Sequence, residues 1–130
     1  MTRHRHSLMF LAIIVTAALT TRIHAGESWI QLQGDEFRSG NASDEVLSGS
    51  LGLRGSVPLT DGIYASPVVS DGTVYVIDGA GVIFAIDAAT LNVIWKFATE
   101  GGLGNCNNVA APAIAGEYLH VGTAAGYYYV

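Results

Sequence analysis

Few side chains in this chain could do chemistry. Of the four histidines, His4, His6 and His24 fall in the first 25 residues, leaving His120 inside the apolar run Tyr118-Leu119-His120-Val121. No Ser-His-Asp order or paired-His motif accompanies it, so a ring filling a strand position is the expected role rather than a base or ligand. Cys106 is the single cysteine and stands between Asn105 and Asn107. It can form no internal disulfide and belongs to no Cys-x-x-Cys or haem-attachment pattern. Asp71, Asp78 and Asp87 each stand at a break between apolar runs. A calcium site needs several oxygens at close spacing, and Asp78-Gly79-Ala80-Gly81 offers one carboxylate. All three aspartates are therefore expected to make turns and face solvent. Gly79 and Gly81 lie between two strand-like runs, whereas a dinucleotide-binding turn must lead into a helix. Trp29 and Arg38 could share a ligand, but an aromatic anchor packed on the first β unit is the simpler role for Trp29. Asn41-Ala42-Ser43 fits the glycosylation sequon. No catalytic residue and no metal ligand is assigned, and cofactor-binding residues are left unknown.

The elements that must position these residues are clearer. Residues 66–97 hold short apolar runs at 68–69 with 73–77, 82–86 and 93–97. They are cut by Asp71-Gly72, Asp78-Gly79-Ala80-Gly81 and Asp87-Ala88-Ala89-Thr90. Asp-Gly between alternating apolar runs is a strong hairpin signal, because Gly tolerates positive φ and Asp bonds its own backbone. The stretch predicts an antiparallel meander. In its second and third strands both parities are apolar, so both faces should be covered.

The stretch also recurs. A gapless shift of 45 positions puts Pro67 on Pro112, Val69 on Ile114, Val74 on Leu119, Val76 on Val121, Gly81 on Gly126 and Phe84 on Tyr129. It also puts Tyr75 on His120, another large ring. That spacing lies in the range of about 40–50 residues for four-stranded propeller units.

These residues carry a resemblance. Ser66-Pro67-Val68-Val69, Asp71-Gly72, Val74-Tyr75-Val76, Asp78-Gly79-Ala80-Gly81, Phe84-Ala85-Ile86-Asp87, Thr90 and Trp95 resemble the repeat of pyrroloquinoline-quinone (PQQ)-like β-propellers. The chain departs at Leu91 and Asn92, where that family carries Gly and a polar residue, which is expected to loosen the turn before the outer strand. Trp29 to Asp35, with Arg38 and Gly40, resembles the opening of exported members. The resemblance implies an all-β fold of antiparallel four-stranded propeller blades, one full and one partial, in an incomplete propeller. It is specific for the fold and not for quinone binding. The adjacent cysteine pair that covers the quinone in the family's enzymes is missing at Cys106.

Half of the 130 residues are apolar and 13% are charged, which favours a globular unit over disorder. The formal charge of −5 argues against a nucleic-acid partner. Residues 1–25 look like a secretory signal peptide, with Arg3, His4, Arg5 and His6 before an apolar run over 8–19 and a small residue, Ala25, at the end. That run is too short to span a bilayer as a helix. Removal of Arg3, Arg5 and Arg22 with it would leave a formal −8. The expected organisation is then an N-terminal extension (26–50), an outer, closing strand (51–60), a complete blade (65–98) and a cut-short second blade (109–130). Residues 51–60 echo residues 91–99 without the Trp. The Gly- and Asn-rich loop 100–108 is the best candidate for a functional loop. Because propellers need about four to eight blades, the chain reads as a fragment, or as a piece that self-associates through an exposed edge.

Three functional classes follow. The chain is an exported binding or interaction scaffold, similar in repeat to outer-membrane assembly factors. Alternatively it is a piece of a PQQ-dependent dehydrogenase, whose quinone and calcium ligands would lie in other blades, or a ligand- or carbohydrate-binding propeller. No cofactor is evident from the residues; PQQ and calcium enter only through the resemblance. The expected partners are a protein or further blades, with membrane contact only through the signal segment. The expected location is periplasmic or extracellular.

Overall fold

The computed structural model describes residues 28–42, 49–100 and 108–130. Residues 1–25, expected as a signal segment, Ser43 of the sequon and Cys106 lie outside them. All seven elements among the described residues are strands: β1 (Val68–Ser70), β2 (Thr73–Ile77), β3 (Val82–Asp87), β4 (Val93–Ala98), β5 (Ala113–Ala115), β6 (Tyr118–Gly122) and β7 (Tyr128–Tyr129). They form two antiparallel meanders, β1-β2-β3-β4 and β5-β6-β7. This is the all-β architecture of one four-stranded unit and one shorter unit that the residue pattern predicts.

The turns follow from local chemistry. Ser70 pairs with Thr73, leaving Asp71 and Gly72 as a two-residue loop with φ of 48° and 74°. Two positive φ values make this the primed turn whose twist matches flanking strands. The equivalent loop, Gly116-Glu117, has positive φ only at Gly116, at 60°. Here glycine at the first loop position serves the same twist. At the β3–β4 turn, Leu91 stands where the family has Gly and adopts the left-handed φ itself, at 63°. The expected loosening does not occur. Leu91 N–H donates to Asp87 O at 2.8 Å, and the Asp87 carboxylate accepts from the Ala89 and Thr90 amides and the Thr90 hydroxyl. A β-carbon in the left-handed region costs about 1–2 kcal/mol, and this hydrogen-bonded cage holds it there.

The 45-residue repeat extends to individual hydrogen bonds at the β2–β3 turn. Asp78 N–H donates to Val82 O at 3.0 Å and Gly81 N–H to Asp78 O at 2.9 Å. Forty-five residues on, Thr123 N–H donates to Tyr127 O at 2.9 Å and Gly126 N–H to Thr123 O at 3.0 Å. The side chains match too: Asp78 Oδ1 accepts from Val82 N–H at 2.9 Å, as Thr123 Oγ1 accepts from Tyr127 N–H at 3.2 Å. Gly81 and Gly126 both have positive φ, at 78° and 85°.

Asp78 departs from expectation. It does not face solvent; it is wholly buried. Its Oδ2 accepts from the amides of Thr60 and Asp61 at 3.0 and 3.1 Å. The carboxylate therefore ties an incoming strap to the β2–β3 turn. Buried polar atoms must be bonded, and here three main-chain donors satisfy one side chain.

Two apolar clusters lie on opposite faces of the first sheet. Val76, Val82, Phe84 and Ile86 form one face, covered by Val57 and Leu59 of the strap. Ile77, Ile83 and Ala65 form the other, covered by Val121, Ala111 and Leu119 of the second unit. The order is strap, first sheet, second sheet. Each such side chain contributes about 1.5–3 kcal/mol when fully buried. Residues 51–60, expected as an outer strand, run without strand pairing among the described residues. Pro67 and Pro112 both lead into a first strand, yet Pro112 is fully buried whereas Pro67 is exposed.

Replacing Asp78 by Ala is expected to lower unfolding free energy by about 3 kcal/mol, since the buried Val82 N–H and the part-buried N–H groups of Thr60 and Asp61 lose their acceptor. Asp78→Asn should cost nearly as much, because its amide NH2 would confront donors. Urea titration of each variant checks this. The Thr90 amide and hydroxyl hold the Asp87 carboxyl below its usual value of 3.8, as Ser39 does for Asp35. A lowered folded value means stability is present above the unfolded value and lost as pH falls through the folded one. Thermal melts should therefore be flat above about pH 5 and fall below about pH 4; in Asp87→Asn that part of the fall should be missing.

Candidate functional site

The sheets diverge at their outer strands. β4 is exposed along its whole length, unlike β3 beside it. Between β4 and the β6–β7 edge lies a cleft of about 540 Å³. Trp95 and Phe97 form one wall, and Leu119, Val121, Tyr129 and Val130 the other. Trp95 remains 42% exposed and Phe97 49%. The alternation of the strand explains this wall. Ile77, Ile83 and Phe97 lie opposite one another across three strands, as do Tyr75, Ala85 and Trp95. Trp95 leans on Tyr75 with ring centroids 6.0 Å apart, and Phe97 meets Tyr129 edge-on at 5.7 Å. Tyr129 Oη accepts from the Glu100 amide at 2.9 Å, which fixes that ring from the far side. Lys96 and Glu117 put one charge of each sign at the lining. The arrangement suits an apolar or aromatic chain segment: concave, mostly apolar, with few polar groups.

A smaller hollow of about 140 Å³ lies between the tips of the β1–β2 and β5–β6 hairpins. Ser70, Asp71, Tyr75, Glu117 and Tyr118 border it. Asp71 Oδ2 there accepts from Ser70 Oγ at 3.2 Å.

The N-terminal segment links the units. Trp29 O accepts from Val69 N–H and Ile30 O from Ile114 N–H, each at 2.7 Å. Val69 and Ile114 are equivalent positions of the repeat, so successive carbonyls of one strand-like segment hold the first strands of both units. Trp29 was expected to anchor on the first unit; its backbone does so, while its ring packs on Gly34. Arg38 closes the turn from Asp35 with its amide, at 3.0 Å, and shares no described contact with the Trp29 ring. His120 Nδ1 lies 2.7 Å from Tyr128 Oη on the neighbouring strand, a ring-to-ring contact on the sheet.

Asn108 ends the Gly- and Asn-rich loop 100–108 expected to carry function, and it turns inward. It is buried, its amide N–H donates to Gly79 O at 3.4 Å, and its Oδ1 accepts from Ala124 N–H at 3.2 Å. Gly79 and Ala124 are repeat equivalents, so one asparagine clasps the same turn in both units. Its Nδ2 has no hydrogen-bond partner. The signal was present in the Asn run at 105, 107 and 108, but residue type cannot say which asparagine turns inward.

Two successive copies of one hydrogen-bonded β unit, stacked face to face, define a β-propeller-type repeat protein. The profile of the PQQ-repeat family described as outer membrane protein assembly factor BamB matches residues 39–129, and the chain belongs to that family. No curated protein matches it. Asp78 is engaged by the strap and by its own turn and Asp87 by its own turn, and no group of three or more His, Cys, Asp or Glu converges among the described residues.

Asn108→Ala removes the acceptor of the Ala124 amide. The expected result is a loss of about 1–2 kcal/mol, with faster hydrogen exchange at Ala124 and little change at Val76. Amide exchange read residue by residue checks it.

Proposed function

We propose that this chain is a protein-interaction scaffold of the cell envelope, exported by residues 1–25, and that the cleft between β4 and β7 receives extended apolar segments of other polypeptides. The observation that carries the reading is the wall of Trp95 and Phe97, one ring against Tyr75 of its own sheet and the other against Tyr129 of the second, both half open to solvent. Exposed aromatic clusters of this kind mark interaction sites rather than ordinary surface. The family's description as an outer membrane protein assembly factor supports the same reading. Strands of outer-membrane barrels alternate apolar and polar residues and carry aromatic girdles, which suits a cleft lined by aromatic rings with Lys96 and Glu117 beside them. A quinone enzyme is the weaker reading, given the carboxylates above.

The test is fluorescence anisotropy of a labelled ten-residue barrel-strand peptide. Binding to the intact protein is expected, weakened at least tenfold by Trp95→Ala and by Phe97→Ala. A scrambled polar peptide should not bind. Equal affinity in Trp95→Ala would overturn the reading. Export is checked separately, by finding Gly26 as the N-terminus of protein recovered from the periplasmic fraction.

A further inference from the structure

Three Asp-Gly pairs occur in the sequence, at 61–62, 71–72 and 78–79. This dipeptide can modify itself. Glycine gives the following nitrogen no side-chain shield, so that nitrogen can attack the aspartate carboxyl carbon. The fold gives the three pairs different fates.

Asp78-Gly79 is buried and fully engaged. Its carboxylate accepts from three main-chain amides, and Gly79 N–H donates to Gly62 O at 2.7 Å. Asp71-Gly72 is the loop of a hairpin closed by the Ser70–Thr73 pair, and Gly72 O accepts from Ala88 N–H at 2.9 Å. A ring closed between Asp71 and Gly72 would have to undo the primed turn and that pairing. Asp61-Gly62 is exposed and belongs to no strand. Among the described residues Gly62 N–H makes one bond, to Oδ1 of Asp61 itself at 2.7 Å. The nitrogen thus already lies against the carboxyl group it would attack. The Asp61 N–H is held by Asp78 Oδ2 at 3.1 Å, so the residue is positioned while its carboxyl group bonds no other described residue.

We propose that Asp61-Gly62 is a self-modification site, and that its conversion to isoaspartate releases the strap from the first sheet. This modification goes beyond the scaffold reading and does not depend on the cleft. The Gly62 nitrogen bonds to Cγ of Asp61 in its acid form, and the carboxyl OH leaves with the amide proton as water. Water then adds to the main-chain carbonyl carbon of Asp61, whose bond to nitrogen breaks. Gly62 is left attached through Cγ, the former main-chain carbonyl becomes a free carboxylate, and no oxidant or reductant is needed. The main chain is now one methylene longer at a crowded point. A β-carbon on Gly79 would already lie 2.7 Å from the Tyr64 ring and 3.2 Å from Gly62 O. The Gly79–Gly62 hydrogen bond is therefore given up, and with it the seating of Thr60 and Asp61 on Asp78. Val57 and Leu59, which cover Val76, Val82, Phe84 and Ile86, depend on that clasp.

The experiment ages the intact chain in warm neutral buffer and, in parallel, in guanidinium. Isoaspartate at each pair is counted by peptide mass spectrometry with electron-transfer fragmentation, and each folded rate is divided by the unfolded one. That ratio should be near one for Asp61, about tenfold lower for Asp71 and lower still for Asp78, because only Asp61 reacts without local unfolding. Amide exchange at Gly79 should quicken as the folded protein ages. In Gly62→Ala the new β-carbon would meet the free end of a side chain, Tyr64 Oη, at 3.3 Å. That variant should shield the carboxyl group, stay unmodified and keep slow exchange at Gly79 on ageing. Equal ratios for Asp61 and Asp71, or no isoaspartate at Asp61 in the folded protein, would overturn the site. Isoaspartate at Asp61 with unchanged exchange at Gly79 would overturn the release.

Discussion

β3 lies between two apolar layers, and that double coverage is the constraint on which the rest depends. Val82, Phe84 and Ile86 point one way and Ile83 and Ala85 the other, all of them buried. A sheet with one apolar face can stand with the other in water. A sheet with two cannot; it must be stacked on both sides. The strap supplies one layer and the second unit the other. Each unit is thus an incomplete object by itself, and repetition is the solution. This is the logic of repeat architectures, where neighbouring units bury what one unit leaves open.

Stacking sheets requires the turns at one end to be held in register, and that is the work of polar groups at equivalent positions. Asp78 gathers the strap onto the first turn. Asn108 joins that turn to the second. At the first strands of the two sheets, the carbonyls of Trp29 and Ile30 tie Val69 and Ile114. Gly79 is needed at this crowded place, since a β-carbon there would lie 2.7 Å from the Tyr64 ring. Ala124, its repeat equivalent, carries the β-carbon that Gly79 cannot. The repeat keeps its hydrogen bonds and varies its side chains wherever the neighbouring segment differs.

This division explains what could be read from the sequence. Strand positions, hairpin turns and the 45-residue period were legible because they rest on local rules: alternation, Asp-Gly chemistry, and glycine at positive φ. The aromatic wall was half legible, since Trp95 marks an outer strand, but its openness depends on what lies opposite. Asp78 was read as a solvent-facing corner because its immediate neighbours are those of any turn. Its burial comes from residues 60–61, 17 and 18 positions away, which no local pattern encodes. The inward turn of Asn108 within the loop 100–108 was illegible for the same reason. Leu91 shows the converse case: a residue type unsuited to the left-handed region is held there by Asp87 and Thr90, so the turn survives the loss of its glycine.

The exposure of β4 follows from the same geometry rather than from any special property of its sequence. Its residues are as apolar as those of β3, yet every one is exposed. Outer strands lie farthest from the line along which the first strands approach, so stacked twisted sheets separate there and open a wedge. Apolar side chains that line a wedge remain wetted, and wetted aromatic rings are the surfaces that proteins use to hold one another. The arrangement that buries β3 completely therefore leaves β4 available. In this fold the buried core and the open cleft are two ends of one stacking interaction, and a change that tightened the sheets along β4 would close the cleft as it stabilised the pair.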